Sequence, residues 1–358
     1  MNLKKINFKY EIIYEDAYEI SLEYLKYFKK LKNTKFLITG GGGFLLSYFI
    51  DIIYILNHKF KLNIQLDIYD IFLHGLGQRF EKYKRNKFIK FIKKDVSKKF
   101  NLNDNYSLII HGASIASPTF YKKYPIETLK VNTQGFFNIL DQLIKFKKLK
   151  YFIYMSSSEV YGDPLPSEVP TKETYNGNVS IVGSRACYDE SKRIGETISV
   201  NYFQQFSIPI KIIRPFNVYG PGQSLTDKRF MPDILSNLYD KKDITLYSNG
   251  KPKRSFCYIA DQIRGILEVN FKGKNGESYN VGNNEELSMY NAAKTILRIS
   301  KSNKKIIFKS SKHANYNEDS PNRRCPDLNK INELDNWEVK YNFRDGVKRT
   351  LKFYNIIN

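Results

Sequence analysis

Residues 35–46, Lys35-Phe36-Leu37-Ile38-Thr39-Gly40-Gly41-Gly42-Gly43-Phe44-Leu45-Leu46, decide how the rest of the chain is read. Lys35–Thr39 is an apolar run with the length of a buried strand. Four glycines follow, and from Leu45 to Leu56 the apolar residues take helical spacing. Strand, glycine turn and helix, in that order, are the setting in which a glycine cluster binds a dinucleotide. Gly40 permits the tight turn. Gly43 lets the backbone approach a pyrophosphate at the positive end of the helix, which Phe44 and Leu45 open. Leu46 stands where a third glycine usually lets helix and strand pack closely, so the helix is expected slightly farther from the sheet.

Five further apolar runs follow. Ile64–Asp70, Phe88–Lys93, Leu108–Gly112, Tyr151–Ser156 and Ile210–Arg214 read as the second to sixth strands, with amphipathic segments between them. This alternation predicts an α/β fold, a Rossmann-type doubly wound parallel sheet. After Pro215 the pattern turns mixed, which predicts a smaller mixed α/β substrate-binding lobe. The expected organisation is a helical extension over 1–33, a dinucleotide-binding domain over 34–214 and the substrate lobe over 215–358, with some crossing of the chain between lobes. In the extension, Ile20, Leu22, Tyr24, Leu25, Phe28 and Leu31 have the spacing of a helix packed on the main body. Asp70 ends the second strand, placed to accept hydrogen bonds from an adenosine ribose and to repel a 2′-phosphate, which favours NAD over NADP. It follows Gly40 by 30 residues rather than about 20, because 58–63 lengthens the connection. Asp95 and Val96, after the third strand, are candidates for the adenine edge.

The 358 residues fit two lobes better than one core of roughly 100–200 residues. A content of 42% apolar and 26% charged residues excludes general disorder. No apolar run reaches the roughly 18 residues of a membrane span. Met1–Tyr10 is Lys-rich and lacks the apolar stretch of a secretory signal. Cys187, Cys257 and Cys325 are scattered, which argues against a disulfide framework or a zinc site; a cytoplasmic setting and no metal are expected. The net charge is +22, but 45 of the 58 basic residues are Lys and 13 are Arg, without an Arg-rich cluster. Neither nucleic acid nor a membrane is therefore an expected partner, while the positive field suits an anionic, phosphorylated substrate.

Tyr188-Asp189-Glu190-Ser191-Lys192 sets Tyr188 and Lys192 four apart, on one face of a helix. An ammonium beside a phenol favours tyrosinate, which can take a proton from a sugar hydroxyl as its carbon is oxidised. Met155-Ser156-Ser157-Ser158-Glu159-Val160-Tyr161-Gly162 leaves the C-terminal end of the fifth strand, where ligands bind in such sheets.

These motifs join Thr39–Phe44, His111–Pro118, Val131–Gly135, Ser156–Pro164, Cys187–Arg193, Arg214–Pro221 and Lys253–Asp261. Their order and spacing resemble the extended short-chain dehydrogenase/reductase family of NAD-dependent nucleotide-sugar epimerases, dehydratases and decarboxylases, over about residues 34–350. Within that family, Gly177-Asn178-Val179, Gly183–Arg193 and Ser158-Glu159 resemble UDP-glucuronate decarboxylases. The resemblance implies that Ser157 orients a sugar 4-hydroxyl, Tyr188 is the base and Lys192 its tuner. It implies that Glu159 contacts the substrate near C5/C6 or moves a proton there. Ala113, Ser114 and Asn132 join the cofactor residues, with Asn132 supporting Lys192 through water. Ser117, Ser158, Asn217, Arg229, Arg254 and Arg323 fall at substrate positions; Arg229 and Arg324 are weaker candidates than Arg254 and Arg323. The segment 319–327 resembles a late motif of these enzymes. The implied activity is C4 oxidation of a UDP-sugar followed by decarboxylation, with 4,6-dehydration or 4-epimerisation as alternatives. A non-catalytic NAD-binding interaction protein is a remoter alternative, disfavoured by the intact Ser157, Tyr188 and Lys192 set. A homodimer is also implied. It would pair the helix bearing Tyr188 with a preceding helix over about 126–146, whose apolar residues are Leu129, Phe136, Phe137, Ile139, Leu140 and Leu143.

Overall fold

Seven short strands form one parallel sheet in the computed structural model, which describes residues 10–73, 77–102, 106–309, 321–335 and 337–358. In chain order they are β1 (Lys35–Thr39), β2 (Gln65–Asp70), β3 (Ile89–Lys93), β4 (Leu108–His111), β5 (Tyr151–Met155), β6 (Ile210–Pro215) and β7 (Ser278–Val281). Their spatial order is β7-β6-β5-β4-β1-β2-β3, with every neighbouring pair parallel. The order reverses between β1 and β4, the switch point beside which ligands bind in such sheets. β4 is buried along its whole length and β5 along all but its first residue, which explains their unbroken apolar runs. Six of the strands coincide with the apolar runs of the sequence. β7 is only four residues, Ser-Tyr-Asn-Val, too short and polar to be singled out.

Helices cover both faces: α1 (Glu11–Glu23), α2 (Tyr48–Phe60), α3 (Pro125–Asn132), α4 (Gln134–Leu143), α5 (Ala186–Phe206) and α6 (Ile259–Lys272). The apolar spacing predicted one helix over 126–146, but the chain breaks at Thr133 into α3 and α4. In the extension, Ile20, Tyr24, Phe28 and Leu31 are buried, whereas Leu22 is 46% exposed. α1 lies against α2 and α6, and Arg264 of α6 reaches Glu19 at 3.1 Å and Glu23 at 2.9 Å. Residues after Pro215 build a small mixed sheet from 286–288, 253–255 and 323–324. The same stretch returns α6 and β7 to the main sheet. Asp319 and Ser320 of the late motif lie outside the described residues.

Regular helix begins at Tyr48, not Leu45. Residues 43–47 instead form a turn in which the Ser47 N–H donates to Gly43 O at 3.1 Å. Leu46 is buried, and the space for it comes from Gly112, just past β4, where a Cβ would stand 2.4 Å from Leu46 Cδ1. The bulk at the usual third-glycine position is thus accommodated by a glycine on the neighbouring strand end.

This exchange predicts a compensating pair. Leu46→Ala is expected to cost about 2–5 kcal/mol by leaving a cavity, and Gly112→Ala about 1–3 kcal/mol by overpacking. The double variant is expected to lose less than the sum, measured by urea unfolding. Strict additivity would contradict the packing described.

Candidate active site

The C-terminal ends of β1, β2, β4 and β5 open into one cleft of about 1480 Å³. That exceeds the roughly 300–1,000 Å³ of a single small-molecule site, and the lining runs continuously from the glycine turn to the second lobe. Of the residues expected at the site, Gly40, Gly43, Phe44, Leu45, Asp70, Asp95, Val96, Ala113, Ser114, Ser117, Ser157, Ser158, Glu159, Tyr188, Lys192, Asn217, Arg229 and Arg254 line it. Asn132 and Arg323 do not.

The glycine turn is fitted to its neighbours. Gly40 has φ +73°, and a Cβ there would come 2.7 Å from Ala113 N. Its N–H donates to Tyr69 O at 2.7 Å, which fixes the turn on β2. Asp70 Oδ2 accepts from the Gly42 N–H at 3.0 Å, and Oδ1 accepts from the Phe72 N–H at 2.8 Å. Each oxygen retains acceptor capacity toward the cleft. Asp95 Oδ1 accepts from Ser97 N–H and Oγ–H. Ser114 Oγ, on the cleft wall, is buried with no hydrogen-bond partner. A bare-backbone turn, a ribose acceptor and an unpartnered hydroxyl together fit a dinucleotide such as NAD.

Ser157, Tyr188 and Lys192 converge at the end of β5. Ser157 faces the Tyr188 phenol. Burial raises that phenol to about 12, with the Ser157 hydroxyl opposing the rise. Tyr188 stacks on Tyr121, ring centroids 5.0 Å apart. Lys192 Nζ donates to Met155 O at 2.7 Å and lies 5.8 Å from the Tyr188 ring centroid. Burial lowers Lys192 to about 7, while Glu196, one turn farther along α5, favours its charged form. The sequence predicted an ammonium directly tuning the phenol. In the structure burial dominates both groups, and one of the lysine's three donors goes to a backbone carbonyl. Asn132 Nδ2 donates to Ser191 Oγ at 2.8 Å, leaving its Oδ1 buried without a partner. His111, absent from the expected set, is buried, held by Thr39 at 2.7 Å and lowered by burial to about 3, so it is neutral.

Glu159 is placed differently from a proton carrier. Arg324 grips it with two bonds, Nη1 to Oε1 at 2.6 Å and Nη2 to Oε2 at 2.5 Å. Arg185 Nη2 adds a contact to Oε1 at 2.7 Å. Burial alone would raise Glu159, but the two guanidiniums outweigh it and hold the carboxyl at about 2. Arg185 also lies over the Tyr121 ring, 5.8 Å from its centroid. Both arginines line the cleft, and the Nε–H of each is buried without a hydrogen-bond partner, with Asp189 Oδ2 3.8 Å from Arg185 Nε. Burial, and then the Glu159 charge, push the neighbouring Asp189 up toward its neutral form. Sequence reasoning missed Arg185, although it stands three residues before Tyr188 in a motif already quoted.

The second lobe divides its arginines. Arg323 pairs with Glu286, Nε to Oε1 at 3.0 Å and Nη2 to Oε2 at 2.9 Å, and turns away from the cleft. Arg324, ranked below it from sequence, faces the cleft instead. Arg254 donates to the carbonyls of Lys253, Asn322 and Pro321 and so braces the segment that carries Arg324. Arg229 pairs with Asp227, which also accepts from Ser117 Oγ at 3.5 Å. Asn217 Nδ2 donates to Ser255 O at 3.2 Å.

A carboxyl depressed in the fold contributes stability that is present above its unfolded pKa and lost as pH falls through its folded value. Glu159→Gln leaves two buried guanidiniums without their anion, so a loss of about 3–5 kcal/mol is expected near neutral pH. The gap to wild type should narrow below roughly 4.5, where Glu159 of the unfolded chain takes up its proton while the folded carboxyl stays ionised down to about 2. Urea unfolding at acid pH measures it, and a gap that does not narrow between about pH 4.5 and 2 would contradict the clamp.

In sequence, the chain is 33% identical over 323 residues to UDP-glucuronic acid decarboxylase 4 of Arabidopsis thaliana, covering 90% of this chain and 69% of that protein. It is 31% identical over 331 residues to UDP-glucuronic acid decarboxylase 1 of Xenopus tropicalis, covering 92% of this chain and 74% of the relative. Its fold matches the crystal structure of UDP-glucuronic acid 4-epimerase from Bacillus cereus in complex with UDP-glucuronic acid and NAD. The TM-score is 0.74 at 23% identity, over 90% of this chain and 99% of that one. Residues 36–282 match the NAD dependent epimerase/dehydratase family, and the chain belongs to that family.

Proposed function

We propose that the protein is an NAD-dependent nucleotide-sugar-modifying enzyme that oxidises a UDP-sugar at C4 and acts as a UDP-glucuronate decarboxylase. The observation that carries the reading is the pair of buried guanidiniums, Arg185 and Arg324, in the same cleft as Ser157 and Tyr188. Together with Glu159 they leave one positive charge in excess, with Asp189 pushed toward its neutral form. A carboxylate at sugar C6 would cancel it, and arginine forks suit carboxylates. The related decarboxylases of Arabidopsis and Xenopus support the same choice.

NAD, when bound, supplies the oxidant for a sugar alcohol and the means of returning the electrons. Gly40, Gly43, Phe44 and Leu45 cradle its phosphates, Asp70 holds its adenosine ribose, and Asp95, Val96, Ala113 and Ser114 complete the wall. Tyr188 accepts the proton of the 4-hydroxyl, Ser157 orients that hydroxyl, and Lys192 supports the phenolate as it forms. A ketone at C4 lies β to the C6 carboxylate. Loss of carbon dioxide then leaves an enolate spread onto the ketone oxygen, and no acid is needed at C6. Dehydration would need a proton donor for the departing C6 hydroxyl. Glu159, held at about 2, is a poor one, which favours decarboxylation. Ser117, Ser158, Asn217, Arg229 and Arg254 are assigned to the nucleotide sugar. Arg323 is left out of that set because Glu286 occupies it.

The enzyme is further read as a cytoplasmic homodimer. The free thiols of Cys187, Cys257 and Cys325 fit a reducing compartment. Ile126, Leu129 and Phe137 on α3 and α4, with Ile194 on α5, are exposed apolar side chains on the helices expected to pair. Among the described residues no helix is long and apolar enough to cross a membrane. Light scattering at micromolar concentration should give twice the 42.0 kDa chain mass; a monomer would refute the pairing.

Three measurements test the activity. Denatured protein should release NAD, and release of NADP alone would refute the role of Asp70. From a panel of UDP-glucuronate, UDP-glucose, UDP-N-acetylglucosamine and dTDP-glucose, only UDP-glucuronate should be consumed at a substantial rate. Turnover confined to neutral sugars would overturn the decarboxylase reading. Tyr188→Phe should reduce C4 oxidation by roughly 10²–10⁴-fold with little change in nucleotide binding. Normal turnover by that variant would remove Tyr188 from its role.

A further inference from the structure

Tyr188, Lys192 and Glu196 follow one another at intervals of four along α5 and share a face. The first two reach the reacting end of the cleft; Glu196 does not line it. Its carboxylate nevertheless accepts three hydrogen bonds near the end of β5. Oε1 accepts from Ser156 Oγ at 2.5 Å and from Arg214 Nε at 2.8 Å, and Oε2 accepts from Arg214 Nη2 at 2.5 Å.

Ser156 has a particular place in the chain. Met155, one residue before it, accepts the Lys192 ammonium on its carbonyl. Ser157, one residue after it, faces the Tyr188 phenol and lines the same cleft. The residue pinned by Glu196 therefore lies between the two backbone points on which Tyr188 and Lys192 depend. The Ser156 N–H also donates to Ile213 O at 2.8 Å, which fixes it against β6 beside Arg214. Arg214 extends the connection. Its Nη1 donates to Tyr161 Oη at 2.6 Å and to Glu173 O at 3.0 Å. Tyr161 closes the turn Ser158–Tyr161 that carries Glu159, and its hydroxyl donates to Asn280 Oδ1 of β7 at 2.8 Å.

We propose that the part-buried Glu196–Arg214 pair positions this active site, setting α5 against the end of β5 so that Tyr188 meets Ser157 and Lys192 meets Met155, and holding the Glu159 turn in the same register. Glu196 and Arg214 touch no reacting atom. They are positioning residues, and the inference rests on the roles given above to Tyr188 and Lys192. Glu196 also supplies charge. The titratable groups facing Lys192 are Tyr188 and Glu196 on α5, Tyr154 on β5 and His111 on β4. Tyr154 is raised far above its usual range by burial and His111 is neutral, so among these described groups Glu196 alone brings a negative charge near neutral pH.

The test follows single-turnover NADH absorbance on the sugar nucleotide that the wild type consumes, across pH, with nucleotide affinity measured in parallel. Turnover by the wild type tests the proposed function; the ratio of variant to wild type tests this inference. Ser156→Ala removes only the hydroxyl link and leaves the ion pair intact. Its kcat should fall roughly 10- to 100-fold, as expected of misplaced reacting groups, with KM within twofold and the alkaline limb of the pH profile unmoved. Glu196→Gln removes the anion beside Lys192, which then loses its proton at lower pH. The alkaline limb should move down by about one unit or more. Should Glu196→Gln fail to fold with Arg214 left unpaired, Glu196→Gln/Arg214→Gln removes both charges and should move the limb in the same direction by a smaller amount, because the more distant Arg214 cation goes with the Glu196 anion. A Ser156→Ala kcat within twofold of wild type, or an unshifted limb in either Glu196 variant, would overturn the proposal.

Discussion

A carboxylate that stays ionised inside a protein must be surrounded by cations and donors, and the end of β5 holds two such carboxylates. Glu159 is clamped by Arg185 and Arg324, and Glu196 by Arg214 and Ser156. Removing one partner of such a group typically costs about 3–5 kcal/mol, because the other charge is left buried alone. These ion pairs add to the apolar packing that joins α5, β5 and β6 through Ile198, Phe152, Tyr154, Ile210 and Ile212. α5, β5 and β6 meet at Glu196, and the segment of the second lobe that carries Arg324 meets α5 and the β5 turn at Glu159.

The same arrangement constrains the chemistry. Both ends of the reacting region are assembled from the chain's own groups, one around a phenol raised by burial and one around a carboxyl lowered by arginines. The phenol needs support to lose its proton at neutral pH, and Lys192 is at hand. The carboxyl has its acceptor capacity largely committed, so its contribution is the placement of two guanidiniums. A site with a proton acceptor at one end and an excess positive charge at the other suits a sugar with a hydroxyl at C4 and a carboxylate at C6.

Much of this was legible in the sequence because it depends on local order. Strand, glycine turn and helix occur in one run at 35–56, and Tyr188 and Lys192 are related by helical spacing alone. The strand end carrying Ser157 and Glu159 was identifiable for the same reason. What sequence did not reveal depends on pairs far apart in the chain. Leu46 is accommodated by Gly112, 66 residues away, so the departure at the third-glycine position could not be judged locally. Arg323 and Arg324 are neighbours on one strand, and successive strand residues point to opposite sides. One meets Glu286 and the other Glu159, and nothing in the local sequence distinguishes them. β7 escaped notice because four residues buried beside β6 need no pattern of their own.

The most direct measurement uses UDP-glucuronate carrying carbon-13 at C6, incubated with the purified protein and followed by carbon-13 NMR. The expected result is transfer of the label into carbon dioxide and bicarbonate, in step with formation of a UDP-linked pentose or its 4-keto form. Retention of the label in a sugar whose C4 configuration has changed would contradict decarboxylation and identify an epimerase.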